Sequence, residues 1–170
     1  MNTLNITAKI RVCIYDELKE DEKMLVDAAK KSALDAYSPY SQFKVGAAVL
    51  LDGGIIVTGN NQENAAYPSG LCAERIALFY ANARYPELPV EAVAIAAYTD
   101  GCYTDEPVTP CGACRQVILE TQNRYKYPIK LYLFGEDRIY IVDQIGDLLP
   151  LSFNQTSRTS RIEKGAKARR

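Results

Sequence analysis

The sequence predicts an α/β protein, a three-layer sandwich in which a mixed central β-sheet is flanked by helices. Three observations predict it. Lys44 to Leu51 and Ile55 to Asn60 flank Asp52-Gly53-Gly54, a hairpin signal with the glycine content that such a turn requires. The run Ala92-Val93-Ala94-Ile95-Ala96-Ala97 carries no polar alternation and reads as a strand buried on both faces. After the hairpin, helical patterns alternate with strand patterns.

The remaining elements follow in order. In residues 5–14, Ile6, Ala8, Ile10, Val12 and Ile14 fall on one side, and Thr7, Lys9, Arg11 and Cys13 on the other. Period two predicts a half-buried strand, added over residues 1–15 as an edge strand or as an arm onto a neighbour. Asp16 to about Ala36 reads as an amphipathic helix with Leu25, Ala28, Ala29 and Ala33 inward, stopped at Tyr37-Ser38-Pro39. Pro68-Ser69-Gly70 breaks the chain, and Cys72 opens a helix through Ala83. A strand is expected from about Glu91 to Tyr98, then a loop from Thr99 to Val108. In the next helix Thr109 is a favoured N-cap and Pro110 suits the first helical position, before Val117-Ile118-Leu119. Strands at Ile129 to Phe134 and Arg138 to Val142 are joined by Gly135-Glu136-Asp137. Residues 1–153 are expected to form a single domain. From Asn154 to residue 170 the chain is polar and basic, with Ile162 its one sizeable aliphatic residue, as in a disordered tail.

Composition narrows the functional classes. The 170 residues are 48% hydrophobic and 24% charged, ordinary for a soluble globular chain. A formal net charge of −1 gives no electrostatic case for nucleic acid as the partner. The five cysteines, an odd number that includes a C-x-x-C, argue against a secreted disulfide framework. Neither a signal peptide nor an apolar run of membrane-spanning length is found, so a cytoplasmic location is expected and no membrane partner.

The chemistry concentrates in Cys72-Ala73-Glu74-Arg75 and Thr109-Pro110-Cys111-Gly112-Ala113-Cys114-Arg115-Gln116. Cys111 and Cys114, three apart in a first helical turn, share a face. The positive end of the helix dipole there favours thiolate over thiol. Cys72, at the other helix start, supplies a third sulfur. Three sulfurs with an open fourth position are the pattern of a catalytic zinc, whereas a closed set of four is structural. There is no histidine, so a zinc must be held by sulfur or carboxylate. Glu74, near the metal without binding it, can take and return protons. Three thiolates make a negative cluster, and Arg75 is placed to drain charge from it by hydrogen-bonding a thiolate.

Zinc deaminases as a class combine one Cys or His, a glutamate that is not a ligand, and Pro-Cys-x-x-Cys. With C-A-E-R followed by P-C-G-x-C-R-Q, the chain resembles cytidine deaminases of the short type, from about Ser38 to Phe153. The resemblance implies that fold, with Zn2+ held by Cys72, Cys111 and Cys114 at two helix N-termini and Glu74 as the proton shuttle. It implies hydrolytic deamination of cytidine and 2′-deoxycytidine, a step of pyrimidine salvage that releases ammonia. It also implies that the Ala73 N–H bonds the pyrimidine carbonyl, that Asn61 and Glu63 bond ribose hydroxyls, and that Phe43 packs on the substrate. Phe153 would reach a neighbouring subunit's pocket in a homotetramer. Alternatives stay open: an enzyme for a modified nucleoside such as blasticidin S, a nucleic-acid editor, or a non-catalytic module with Cys102 or Cys13 as fourth ligand. The stretch between Arg84 and Thr109 looks long for the family and is expected to form an extra loop near the pocket.

Overall fold

The computed structural model describes residues 1–154; the remainder of the basic tail lies outside the described residues. Strands β1 (Arg11–Cys13), β2 (Lys44–Leu51), β3 (Ile55–Asn60), β4 (Val90–Thr99), β5 (Cys102–Tyr103), β6 (Lys130–Phe134) and β7 (Ile139–Val142) build one mixed sheet. Its path is β1-β7-β6-β4-β2-β3, with β5 hairpinned onto β4. The β4–β6 pair is parallel and the others antiparallel. Helix α1 (Glu20–Leu34) covers one face; α2 (Ala73–Arg84) and α3 (Gly112–Tyr125) cover the other.

Alternation along the strands makes these layers. In β4, Val93 and Ile95 enter the core under α2 and α3, whereas Ala92, Ala94 and Ala96 face α1. In β6, Leu131 and Leu133 face the first layer and Tyr132 and Phe134 the second. The alanine face lets α1 approach closely. At Gly46 a Cβ would collide with the backbone of Ala29 and Ala33 on α1. The expected hairpin is present: Gly53 and Gly54 have φ of 82° and 80°, and the Gly54 N–H closes the turn onto Leu51 O at 3.1 Å.

Three details differ from the sequence expectation. The N-terminal strand is confined to Arg11–Cys13, at the sheet edge on β7. Its apolar side is not half-buried: Ile6, Ile10, Val12 and Ile14 are all exposed, while Cys13 on the other side turns inward. Alternation reports two unlike faces but not which of them finds a cover. The segment after β4 is no plain loop. Asp100 and Gly101 (φ 52° and 85°) form a tight turn leading into β5, and Tyr103 packs edge-on against Tyr98 and Phe134. Farther on, the Glu136 and Asp137 N–H groups donate to Thr104 O and Asp105 O, so this stretch braces the β6–β7 turn. Finally, α3 is capped by Cys111 rather than Thr109. The Thr109 hydroxyl is engaged instead by Arg115 Nη2 at 3.3 Å, and Pro110 O by Arg115 Nε at 2.8 Å.

Candidate active site

Two helix starts build the site. Cys72 is the N-cap of α2 and Cys111 the N-cap of α3, both in extended backbone, and neither thiol caps its helix. The positive end of each helix dipole therefore lies beside the sulfurs. Close packing fixes where α2 begins. A Cβ at Gly59 of β3 would stand 2.6 Å from Ala77 N and 2.9 Å from Ala73 O, so a glycine there lets the helix lie on the strand.

The Sγ atoms of Cys72, Cys111 and Cys114 lie within 4.8 Å of one another, with Cys72–Cys111 at 3.9 Å and Cys111–Cys114 at 3.4 Å. Tetrahedral sulfur ligands about 2.3 Å from a zinc stand roughly 3.8 Å apart, so the donor set fits that ion. Among the described residues this metal-competent group contains only those three side chains. Cys102 is exposed on the β5 hairpin, where its thiol donates to Thr99 O at 3.6 Å. Among the described residues no fourth His, Cys, Asp or Glu donor joins the group.

Arg75 Nη2 donates to Cys72 Sγ at 3.5 Å. Hydrogen bonding from Cys114, then from Arg75 and Cys111, draws the Cys72 thiol down to about 5, while the proton that Cys114 retains to make its bond is held more tightly. Glu74 is 5% exposed, and its burial pushes the carboxyl above the ordinary range, the negative Cys72 adding to the effect. A buried carboxyl that holds its proton more readily beside a metal-binding group is suited to accepting and returning protons.

A cleft of about 590 Å³ opens beside Cys72 and Arg75 and is walled by Tyr40, Ser41, Glu63 and Tyr67. Asn61 also lines it, but its amide is largely engaged: Oδ1 accepts from Val45 N at 2.7 Å and Nδ2 donates to Phe43 O at 2.9 Å. One N–H remains. One Glu63 oxygen accepts from Tyr40 N at 2.9 Å and Ser41 N at 3.2 Å. The Ser41 hydroxyl and these two N–H groups hold the carboxyl below its usual range. Ala73 is fully buried at the first position of α2. Phe43 is half-buried and meets the site through its backbone. Phe153 is 64% exposed and does not line this cleft in its own chain, with its carbonyl held by Gln116 Nε2 at 2.9 Å. The β5 hairpin does not line the cleft.

Sequence reasoning passed over Arg115, whose guanidinium also donates to Leu148 O at 2.6 Å and so ties the C-terminal segment to the loop that presents Cys111. The signal was a cation near a helix N-terminus, where the dipole disfavours one unless something else holds it.

A family model for the cytidine and deoxycytidylate deaminase zinc-binding region matches residues 19–127. The chain belongs to this family. The cytidine deaminase of Halalkalibacterium halodurans is 49% identical over 100 residues, covering 59% of this chain and 71% of the relative. That of Sporosarcina psychrophila is 41% identical over 128 residues, or 75% of this chain and 82% of the relative. Among solved structures, the cytidine deaminase of Burkholderia pseudomallei superimposes with a TM-score of 0.66 at 41% identity, over 76% of this chain and 97% of that one. The Mycobacterium tuberculosis cytidine deaminase gives 0.61 at 36%, over 80% and 99%.

Proposed function

We propose that the protein hydrolyses cytidine and 2′-deoxycytidine to uridine and 2′-deoxyuridine with release of ammonia. The observation that carries this reading is the three-sulfur group beside a buried Glu74, next to a cleft lined by Asn61 and Glu63. Cys72, Cys111 and Cys114 would hold the zinc, whose chemistry is to lower the pKa of water from about 15.7 to about 7. Arg75 offsets the sulfur charge. Glu74 accepts the proton that water loses, returns it to ring N3 so that C4 becomes electrophilic, and passes the hydroxyl's proton to the departing amino group. The Ala73 N–H would orient the pyrimidine carbonyl. The remaining Asn61 N–H and the Glu63 carboxylate suit a sugar edge with both donor and acceptor hydroxyls.

A three-sulfur group with no fourth such donor among the described residues favours catalysis over a structural zinc module. We further propose that the protein serves pyrimidine salvage in the cytoplasm and assembles as a homotetramer. Support for assembly is that Phe153, Leu151 and the ligand Cys111 are all exposed in the single chain. Ammonia release measured on cytidine, deoxycytidine, free cytosine and blasticidin S tests the substrate reading. Turnover of the first two is expected; turnover of blasticidin S alone would transfer the site to modified nucleosides.

A further inference from the structure

Gln116 lies on α3 two residues past Cys114, and it reaches 37 residues along the chain to bond the Phe153 carbonyl. Its neighbour Arg115 holds the Leu148 carbonyl. Between these two anchors the chain turns at Leu151, which adopts φ 54°, a left-handed conformation that costs a leucine and persists only where flanking contacts hold it. The outcome is an unusual pairing. The backbone of Phe153 is tied to the helix that carries two of the sulfurs, while the residue stands 64% exposed among the described residues.

We propose that Gln116 is a positioning residue: its amide sets the Phe153 carbonyl so that the ring is already aimed into the nucleoside cleft of a second copy of the chain. This rests on the reading of Phe153 as a residue that completes a neighbour's site. Restricting a group before it binds removes the ordering cost from the binding step. A free terminal segment would have to be ordered each time a site closed, whereas a tethered one needs only a ring rotation. The tether also refers the ring to α3, whose first turn carries Cys111 and Cys114, so the aromatic and the thiols move as one unit.

A double-mutant cycle on the zinc-loaded enzyme tests this, with kcat, KM, zinc content and melting temperature read for each protein. Gln116→Ala is expected to raise KM for cytidine about three- to tenfold, the scale of one neutral hydrogen bond, with zinc content and melting temperature unchanged. Gln116→Lys, a donor of similar reach, is expected to recover most of that loss, and Gln116→Glu, which cannot donate, to recover none. Combined with Phe153→Ala, the Gln116→Ala change is expected to add nothing. Multiplying losses in the double variant, or a silent Gln116→Ala beside a damaging Phe153→Ala, would overturn the positioning role alone. A silent Phe153→Ala would overturn the reading of Phe153, and the proposal with it. As the chain has no tryptophan, Phe153→Trp gives an isolated reporter. Its indole anisotropy is expected to fall when Gln116→Ala is added, and no change would contradict the tether.

Discussion

Arg75 and Arg115 stand in the first turns of α2 and α3, where the helix dipole disfavours a cation. Each is held by something stronger: Arg75 by the Cys72 sulfur, Arg115 by carbonyls of the preceding loop and of Leu148. In metal-free protein, Arg75→Ala should therefore raise the Cys72 thiol pKa above about 5, partway to the ordinary value, since the bond from Cys114 remains. The pH dependence of thiol alkylation measures it, with an unchanged profile counting against the contact. In the loaded enzyme the same change should move the pH–activity profile upward, because losing a positive neighbour makes nearby protons harder to remove. Glu63→Gln should leave folding intact, since one oxygen still receives the Tyr40 and Ser41 N–H groups. It should raise KM for cytidine but not for cytosine, by about 1–3 kcal/mol of lost pairing; an equal effect on both would reduce Glu63 to a loop brace. The thiols and Glu74 were legible because metal and proton chemistry demand particular side chains at particular spacings. The engaged amide of Asn61 was not, because its partners Phe43 and Val45 are brought to it only by strand pairing.

The interior hairpin, the buried β4 and both site helices could be read from local pattern, since turn glycines and apolar periodicity are properties of neighbouring residues. The β5 hairpin was missed, read as part of a loop, although Asp100-Gly101 is a dipeptide suited to a turn with two positive φ values. What local pattern does not carry is the partner that covers a face, and hence the exposed side of β1. Helix placement is similar: the start of α2 follows from its fit on β3 at Gly59. Gly59→Ala should push α2 off the sheet, costing about 1–3 kcal/mol as in overpacked cores. Because α2 carries Cys72, zinc affinity should fall along with the melting temperature. Normal zinc binding at reduced stability would show that the helix start is held by other contacts.

The proposed assembly rests on the exposed Phe153 and Leu151 of the C-terminal segment. Sedimentation should find a homotetramer that survives deletion of residues 156–170. Deletion from Leu148 onward should abolish assembly and activity together, since it removes the Arg115 anchor as well as the aromatic. Mixing Glu74→Ala chains with Phe153→Ala chains should restore activity through hybrid sites as subunits exchange; a fully active monomer would contradict that arrangement. The central claim is that three sulfurs and one carboxylate form the hydrolytic centre, and a zinc titration of chelator-stripped protein tests it most directly. Cytidine deamination should rise in proportion to zinc up to one ion per chain. The Glu74→Ala protein should bind the same zinc while losing about 10²–10⁴ of the rate, the usual contribution of a positioned acid–base group. Full activity without metal, or near-normal turnover by Glu74→Ala, would contradict the account.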